Sequence, residues 1–262
     1  MRSVRTAGVD IAYRRSGRGT PLLLLHGAFG DSQDWTHVQA GLAEHADVVA
    51  WDAPGCGASS DVPSDWTDAD WANAIAGFID AVGLERPVLC GLSLGSVFAL
   101  LAARDHPASM RALVLAGPYA GWAGSLEPDE VERRVAAAEA TMATPVAEWA
   151  DAFLASVYPP DTDPGRIADA RSALLAWRPS TTAAILEIVR LDLRDTLPGI
   201  TVPTLVVRGS DDERSPVAAA AAIVATVRDA RFVELPGLGH DCIGPAFADA
   251  VIDFMNGLER TR

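Results

Sequence analysis

The sequence predicts an α/β fold: a mostly parallel, doubly wound sheet with helices on both faces and one helical insertion. Short apolar runs alternate with helical patterns, which is typical of a parallel sheet buried on both faces. The alternation stops between about residues 119 and 197, where several helical patterns follow one another. A length of 262 residues suits one domain of this kind with an insertion.

The apolar runs define the predicted strands, because short β-branched or leucine-rich stretches are typical of buried strands. In chain order the predicted strands are 9–14, 22–25, 47–51, 88–90, 112–116, 204–208 and 231–235. Amphipathic or alanine-rich segments predict helices over 33–44, 68–82, 94–104, 216–227 and 245–258. Within the insertion, helical patterns cover 128–134, 146–157, 169–177 and 181–193. We therefore expect a core of residues 1–118 and 198–262, with residues 119–197 as a helical cap.

The net charge of the chain limits the classes of partner that it is expected to bind. A formal net charge of −14 argues against nucleic acid and against anionic membrane surfaces, because both need basic patches. All 21 basic residues other than histidine are arginine. A Schiff-base lysine, a P-loop lysine and a Ser-Lys dyad are therefore excluded. A small molecule is the expected partner, and the oligomeric state stays open.

The first residues of the sequence and the number of its cysteines predict a cytoplasmic protein. The first residues lack the apolar region of a signal peptide, and no apolar run has the length of a membrane span. The three cysteines are an odd number, which indicates reduced thiols rather than a disulfide framework. They form no C-x-x-C pair, so no metal site is expected.

The stretch 91–95 reads G-L-S-L-G, and it lies between an apolar run, 87–90, and a helical pattern, 97–103. Strand, glycine-flanked serine and helix together are the context of a nucleophile elbow. The glycines are needed because the turn is tight. The helix that follows directs its first amides and its positive dipole end towards the Ser93 hydroxyl. The alternative is a glycine-rich turn with a solvated serine.

A serine nucleophile needs a base and an acid that orients the base. Of the five histidines, His240 lies in a glycine-rich loop directly after the last predicted strand. Asp211 and Asp212 follow the strand 204–208. These positions are at the carboxyl ends of strands, where open α/β sheets place their ligands. Placement alone does not choose between the two aspartates.

Four motifs together resemble the α/β-hydrolase superfamily over nearly the full chain outside the insertion. H-G-A-F-G at 26–30 is similar to the family's oxyanion loop, and D-A-P-G-C-G-A-S at 52–59 is similar to its D-x-P-G-x-G-x-S turn. G-S-D-D-E-R-S-P at 209–216 resembles the acid loop, and Gly239-His240 resembles the base. The resemblance implies the α/β-hydrolase fold and an enzyme that uses no cofactor.

The resemblance also implies roles for single residues. The family's acid is the third residue after the glycine of its loop, which favours Asp212 over Asp211. Ser93 would attack an acyl carbon with His240 as its base. The backbone amide of Leu94 would bind the oxyanion, together with the amide of Ala28 or, as the alternative, of Phe29.

Aromatic residues in and near the insertion are candidate walls of a pocket for a partly apolar substrate. Ordinary packing within the cap is the competing interpretation for each of them. The candidates are Phe29, Tyr119, Trp122, Trp149 and Trp177.

The function expected from these residues is hydrolysis of a small carboxylic ester or lactone through an acyl-enzyme. The serine argues against the dehalogenases and epoxide hydrolases of the superfamily, which use an aspartate. Alternatives on the same site are a carbon–carbon bond hydrolase, a cofactor-free perhydrolase and a biosynthetic cyclase or acyltransferase. A ligand-binding receptor without catalysis is the alternative from another class of protein.

Overall fold

The computed structural model describes residues 1–260, which form eight strands joined in one sheet. The strands are β1 (Arg2–Thr6), β2 (Val9–Gly17), β3 (Thr20–Leu25), β4 (Ala46–Trp51), β5 (Val88–Leu92), β6 (Ala112–Ala116), β7 (Thr204–Gly209) and β8 (Ala230–Leu235). Their order in the sheet is β1-β2-β4-β3-β5-β6-β7-β8. Strand β2 is antiparallel to both of its neighbours, and the pairs from β4 to β8 are parallel.

Nine α-helices accompany the strands in the described part of the chain. They are α1 (Thr36–Ala43), α2 (Asp68–Ala81), α3 (Leu94–Asp105), α4 (Pro128–Met142), α5 (Val146–Val157), α6 (Pro164–Leu175), α7 (Pro179–Val189), α8 (Val217–Thr226) and α9 (Pro245–Arg260). Short 3-10 turns cover Ser32–Trp35, Pro107–Ser109 and Arg194–Gly199. None of the helices within residues 1–260 is long and apolar enough to cross a membrane.

The sheet is buried on both faces. Successive side chains of a strand point to opposite faces, so neighbouring residues of one strand join different cores. In β3, Leu23 and Leu25 join the core that contains residues of α2, α3 and α8. Leu22 and Leu24 join the core that contains residues of α1 and α9. The near-continuous apolar runs in the sequence follow from this double burial.

Helices α4 to α7 lie between β6 and β7 in the chain, and we call residues 119–197 the helical segment. Its α5 and α6 enclose a small core of Ala150, Leu154 and Leu174. The segment contacts the turn after β4, where Thr181 Oγ1 donates to the Gly55 carbonyl at 3.0 Å. Gly55 has a φ of +84°, and a Cβ there would overlap the Thr181 side chain, so this contact depends on glycine.

The predicted fold class is confirmed, and the differences in single elements have physical reasons. Strand β1 was not predicted, because it is a mostly exposed edge strand without an apolar run. The predicted helix 33–44 is divided into the 3-10 turn Ser32–Trp35 and α1. Asp31 caps the 3-10 turn by accepting a hydrogen bond from the Gln33 amide.

Candidate active site

Ser93 lies between β5 and α3 in a strained turn, with φ 53° and ψ −111°. Its amide donates to the Ala116 carbonyl of the neighbouring strand at 2.8 Å. A Cβ at Gly91 would overlap the Gly95 carbonyl, and one at Gly95 would overlap the Leu25 carbonyl. Both flanking glycines are therefore required by close approach of the backbone, and together they present the Ser93 hydroxyl at the carboxyl edge of the sheet.

His240 connects the serine to a carboxylate. Its Nε2 lies 2.9 Å from Ser93 Oγ. Its Nδ1 lies 2.9 Å from Asp212 Oδ2 and 3.1 Å from Asp212 Oδ1. The imidazole is buried, with 6% of its surface exposed. Residues from the ends of β5, β7 and β8 thus form one continuous hydrogen-bonded chain.

The surroundings of Asp212 favour its ionised form. Burial opposes ionisation, but the hydrogen bond and charge of His240 outweigh it and hold the pKa of Asp212 below its usual value. The amides of Arg214 and Ser215 add to this effect by donating to Oδ1 at 2.8 and 2.9 Å. An ionised carboxylate on Nδ1 selects the imidazole tautomer whose Nε2 can accept a proton.

The loop that carries Asp212 is fixed by Arg208 on β7. Its guanidinium donates from Nη2 to the Asp212 carbonyl at 2.6 Å and from Nε to the Ser215 carbonyl at 3.0 Å. Asp211 is exposed, and its carboxylate accepts from Ser210 Oγ at 2.7 Å. Of the two candidate aspartates, it is Asp212 that contacts His240.

The loop after β3 passes beside Ser93 and is ordered by His26. The buried imidazole accepts at Nε2 from the Ala53 amide at 3.0 Å and donates from Nδ1 to the Gly27 carbonyl at 2.8 Å. Burial lowers the pKa of His26, which agrees with a neutral ring in this role. A Cβ built on Gly27 would lie 3.7 Å from the Ser93 Cβ. Ala28 follows directly, so its backbone lies next to the serine.

Phe29 joins this loop to the helical segment. Its ring centroid lies 4.7 Å from that of Trp177, 5.0 Å from Phe153 and 5.4 Å from Trp149. Its φ of +65° is unusual for a residue with a side chain. The aromatic contacts stabilise the Phe29 ring, and this stabilisation offsets the cost of its unusual backbone conformation.

Two cavities meet at His240. The larger, which we call the outer cleft, has a volume of about 1290 Å³. The smaller, the inner cavity, has a volume of about 60 Å³ and is lined by Ser93, Ala28 and Phe29, among others. Four of the aromatic residues selected from the sequence line the outer cleft: Phe29, Trp122, Trp149 and Trp177.

Tyr119 is the exception among the expected pocket residues, and here the expectation is corrected. It lines neither cavity, and 4% of its surface is exposed. Its hydroxyl donates to the Arg214 carbonyl and accepts from Arg134 Nη1 at 3.1 Å. The hydroxyl thus connects the loop of Asp212 to α4, and the side chain is buried.

The charged residues that line the inner cavity, Asp34, Arg214 and Asp241, were not found from the sequence, and neither was Arg166, which pairs with Asp241. Asp241 is buried beside His240 and forms an ion pair with Arg166 of α6. Burial raises the pKa of Asp241, and it raises that of Asp34 well above its usual value. Direct adjacency to His240 was the available signal for Asp241. Asp34 and Arg166 carry no such signal, because only the packing of α6 on the 3-10 turn brings them together.

No group of three or more His, Cys, Asp or Glu side chains within residues 1–260 is arranged to hold a metal ion. The three cysteines are buried as free thiols. Burial raises the pKa of each of them, so they are weak nucleophiles in this fold.

Comparison with known proteins identifies the family. Residues 22–254 match the alpha/beta hydrolase family, and the chain therefore belongs to it. The protein is an enzyme of the α/β-hydrolase class.

Single relatives agree with this assignment. A hydrolase from Pseudomonas aeruginosa PA01 shares 30% identity and a TM-score of 0.84, with 97% of each chain covered. A thermophilic esterase from Thermogutta terrifontis shares 27% identity and a TM-score of 0.84, over 98% of this chain and 97% of that one. Pyrrolizixenacetamide deacetylase from Xenorhabdus hominickii is 26% identical over 90% of each chain.

Proposed function

We propose that this protein is a serine hydrolase that cleaves a small carboxylic ester or lactone through an acyl-enzyme. The observation that supports it most is the continuous contact from Ser93 Oγ through His240 to the Asp212 carboxylate. Nucleophile, base and orienting acid are each within hydrogen-bond distance of the next, which is the geometry that activates a serine hydroxyl.

In the first half of the reaction, Ser93 Oγ attacks the carbonyl carbon while its proton passes to His240 Nε2. The carbonyl π electrons move to oxygen and form a tetrahedral oxyanion. When that intermediate collapses, the bond to the alcohol oxygen breaks and the leaving oxygen takes the proton from His240. For a lactone, the alcohol stays attached to the acyl group.

In the second half, water attacks the ester of Ser93 and gives a proton to His240. Collapse of the second tetrahedral intermediate breaks the acyl–Ser93 bond and returns that proton to Oγ. Ionised Asp212 stabilises the imidazolium in both halves. The product is the carboxylic acid, and the enzyme returns to its starting state.

The oxyanion in this mechanism is bound by backbone amides. Leu94 begins α3 immediately after Ser93, so its amide belongs to the positive end of that helix. The second donor is the amide of Ala28, with that of Phe29 as the alternative, since both residues line the inner cavity beside Ser93. Loss of one such donor costs about a hundredfold to a thousandfold in rate.

The helical segment, residues 119–197, is proposed as a cap that sets substrate choice. It contributes Trp122, Trp149 and Trp177 to the outer cleft. An aromatic lining with a few polar groups suits a substrate that is partly apolar. The esterase from Thermogutta terrifontis, at 27% identity, supports an ester as the substrate class.

A fluorophosphonate probe tests the activated serine. We expect the folded protein to be labelled at Ser93, and labelling to be lost in Ser93→Ala and strongly reduced in His240→Ala. Ser172→Ala is a matched control, because Ser172 is exposed on α6. Absence of labelling in folded wild type would refute the proposal. Turnover of short alkyl esters and of a lactone panel then separates an enzyme from a binding protein.

A further inference from the structure

Arg214 differs from the other cations around the two cavities. It follows Asp212 by two residues and lines both the inner cavity and the outer cleft, as His240 does. Arg133 and Arg134 also line the outer cleft, but both pair with Glu130, at 2.7 and 2.6 Å. No carboxylate within residues 1–260 lies within ion-pair distance of the Arg214 guanidinium.

The guanidinium of Arg214 is held in place by uncharged groups. Nη1 donates to Ser156 Oγ of α5 at 2.7 Å, and Cζ lies 5.2 Å from the centroid of the Phe153 ring. A guanidinium has five N–H donors, and the side chains of residues 1–260 supply an acceptor for one of them. The guanidinium is thus held by one hydrogen bond and one ring contact, in a residue that lines both cavities.

The positive charge of Arg214 is partly desolvated. Burial lowers its pKa and the charge of Arg134 adds to that effect, while Tyr119 and the charge of Asp212 oppose it; arginine begins so high that the group stays charged at neutral pH. A partly buried cation without a counter-ion is destabilised, and an anion that binds it gains from the lower local polarity. This is the arrangement of a receptor for a carboxylate.

The carboxylates near Arg214 determine on which side an anion would bind. The inner cavity already disfavours negative charge, because burial raises the pKa of both Asp34 and Asp241, and Arg166 is already paired with Asp241. On the outer cleft, Asp211 and Glu213 are exposed, so solvent and salt screen their charges. The outer-cleft side of Arg214 is therefore the favoured place for an anionic group.

We propose that Arg214 selects substrates that carry a carboxylate near the scissile acyl group, and binds that carboxylate in the outer cleft. The inference rests on the proposed hydrolase function and names its substrate class. A planar guanidinium can bind a carboxylate through two parallel hydrogen bonds. Because Arg214 shares both cavities with His240 and the inner cavity with Ser93, a carboxylate bound to it would also orient the ester carbonyl towards the serine.

Kinetics with matched esters test the selection. Monoethyl glutarate carries the carboxylate on the acyl side, 4-acetoxybutyrate carries it on the alcohol side, and ethyl hexanoate and butyl acetate are their neutral counterparts. For at least one pair we expect wild type to show a kcat/KM about tenfold or more higher for the anionic ester. Arg214→Gln should reduce that ratio at least about tenfold, Arg214→Lys should reduce it less, and added salt should reduce it in wild type.

Arg133→Gln is the matched control, because it removes a cleft cation that already has a carboxylate partner. We expect it to change the ratio less than about twofold. Equal losses on anionic and neutral esters in Arg214→Gln would show a structural role only and would overturn the inference. Equal rates for both members of each pair in wild type would overturn it as well.

Binding to a variant that cannot react separates this inference from the proposed function. Calorimetry of Ser93→Ala should show glutarate binding more tightly than glutaramide, and Arg214→Gln in that background should remove the difference. If wild type hydrolyses no ester, the proposed function fails, while this measurement still decides on Arg214. If Arg214→Gln does not fold, glutarate against glutaramide binding in Ser93→Ala decides alone, and equal binding overturns the inference.

Discussion

The loops that carry Ser93, Asp212 and His240 and the helical segment above them are held by different kinds of contact. The loops are fixed by buried groups: the Ser93 amide donates to the Ala116 carbonyl, two amides donate to the Asp212 carboxylate, and the buried Arg208 donates to the Asp212 carbonyl. The helical segment, residues 119–197, is joined to the core in part by long side chains. Arg178 donates to the Gly55 carbonyl at 2.9 Å, and Arg166 pairs with Asp241.

The difference explains how one family can keep one chemistry and change its substrates. Ser93 and the loop of Asp212 are held by backbone hydrogen bonds, close glycine contacts and the buried Arg208, and Arg208 does not line the outer cleft. Attachment through side chains allows the residues that line the outer cleft to change without moving Ser93. Four substitutions test this contrast, and they are ordered from the largest expected effect to the smallest.

The largest effect is expected for Asp212→Asn. An amide at this position favours the wrong imidazole tautomer, so kcat should fall about ten-thousandfold. Steady-state kinetics on a short ester measure it, and Asp211→Asn is the matched control with a far smaller loss. Similar losses in both variants would show that the acid has been assigned to the wrong residue.

Gly95→Ala should disrupt the elbow through the backbone alone. The added Cβ would overlap the Leu25 carbonyl, and we expect a loss of about 3 kcal/mol in the free energy of unfolding. Gly41→Ala is the control, since beyond the neighbouring backbone of α1 no described atom lies within 4 Å of its Cβ position. That control should gain about 0.5–1 kcal/mol. Urea denaturation measures both, and a tolerated Gly95→Ala would contradict the geometry.

Arg178→Gln should weaken the attachment of the helical segment. It removes charge-assisted hydrogen bonds to the Gly55 carbonyl, at 2.9 Å, and to the Ser59 carbonyl, at 2.8 Å. We expect a loss of about 1–3 kcal/mol and faster proteolysis within residues 119–197, with fluorophosphonate labelling of Ser93 retained. Arg171→Gln breaks the ion pair with the exposed Asp151 and should cost less than about 0.5 kcal/mol. Equal proteolysis of both variants would argue against the contact at Gly55.

The smallest effect is expected for Asp34→Asn, which should change the pH dependence of the melting temperature. Burial, with the charges of Asp31 and Asp241, raises the pKa of Asp34, so its neutral form is favoured in the folded state. That contribution is present at acidic pH and is lost as the pH rises through the raised pKa. Asp34→Asn should therefore melt at a higher temperature than wild type at neutral and alkaline pH, with the gain shrinking towards acidic pH.

Asp249→Asn is the control for this pH series, because Asp249 is exposed on α9. Its melting temperature should follow that of wild type across the series. A gain for Asp34→Asn that is the same at every pH would indicate a packing effect instead of titration.

How well a feature could be predicted from the sequence depended on how far apart in the chain its interacting residues lie. The apolar runs of β3, β5 and β7 were visible because parallel strands are buried on both faces. The serine turn at 91–95 could be located because its glycines lie in a short motif between an apolar run and a helical pattern, although the contact that requires Gly95 is with the distant Leu25. Strand β1 was missed because its pairing with β2, and not its own side chains, makes it a strand. Tyr119 was misplaced because a sequence does not show which way a ring turns.

The sequence by itself determined the α/β fold class and the order of the predicted nucleophile, acid and base motifs, and its resemblance to the α/β-hydrolase superfamily favoured Asp212 over Asp211. These depend on local periodicity, on turn chemistry and on spacing within a loop. Only the tertiary structure decided that α5 and α6 bring Ser156 to Arg214 and Arg166 to Asp241. Charges from distant parts of the chain become neighbours through helix packing, and their pairing has no signature in the linear sequence.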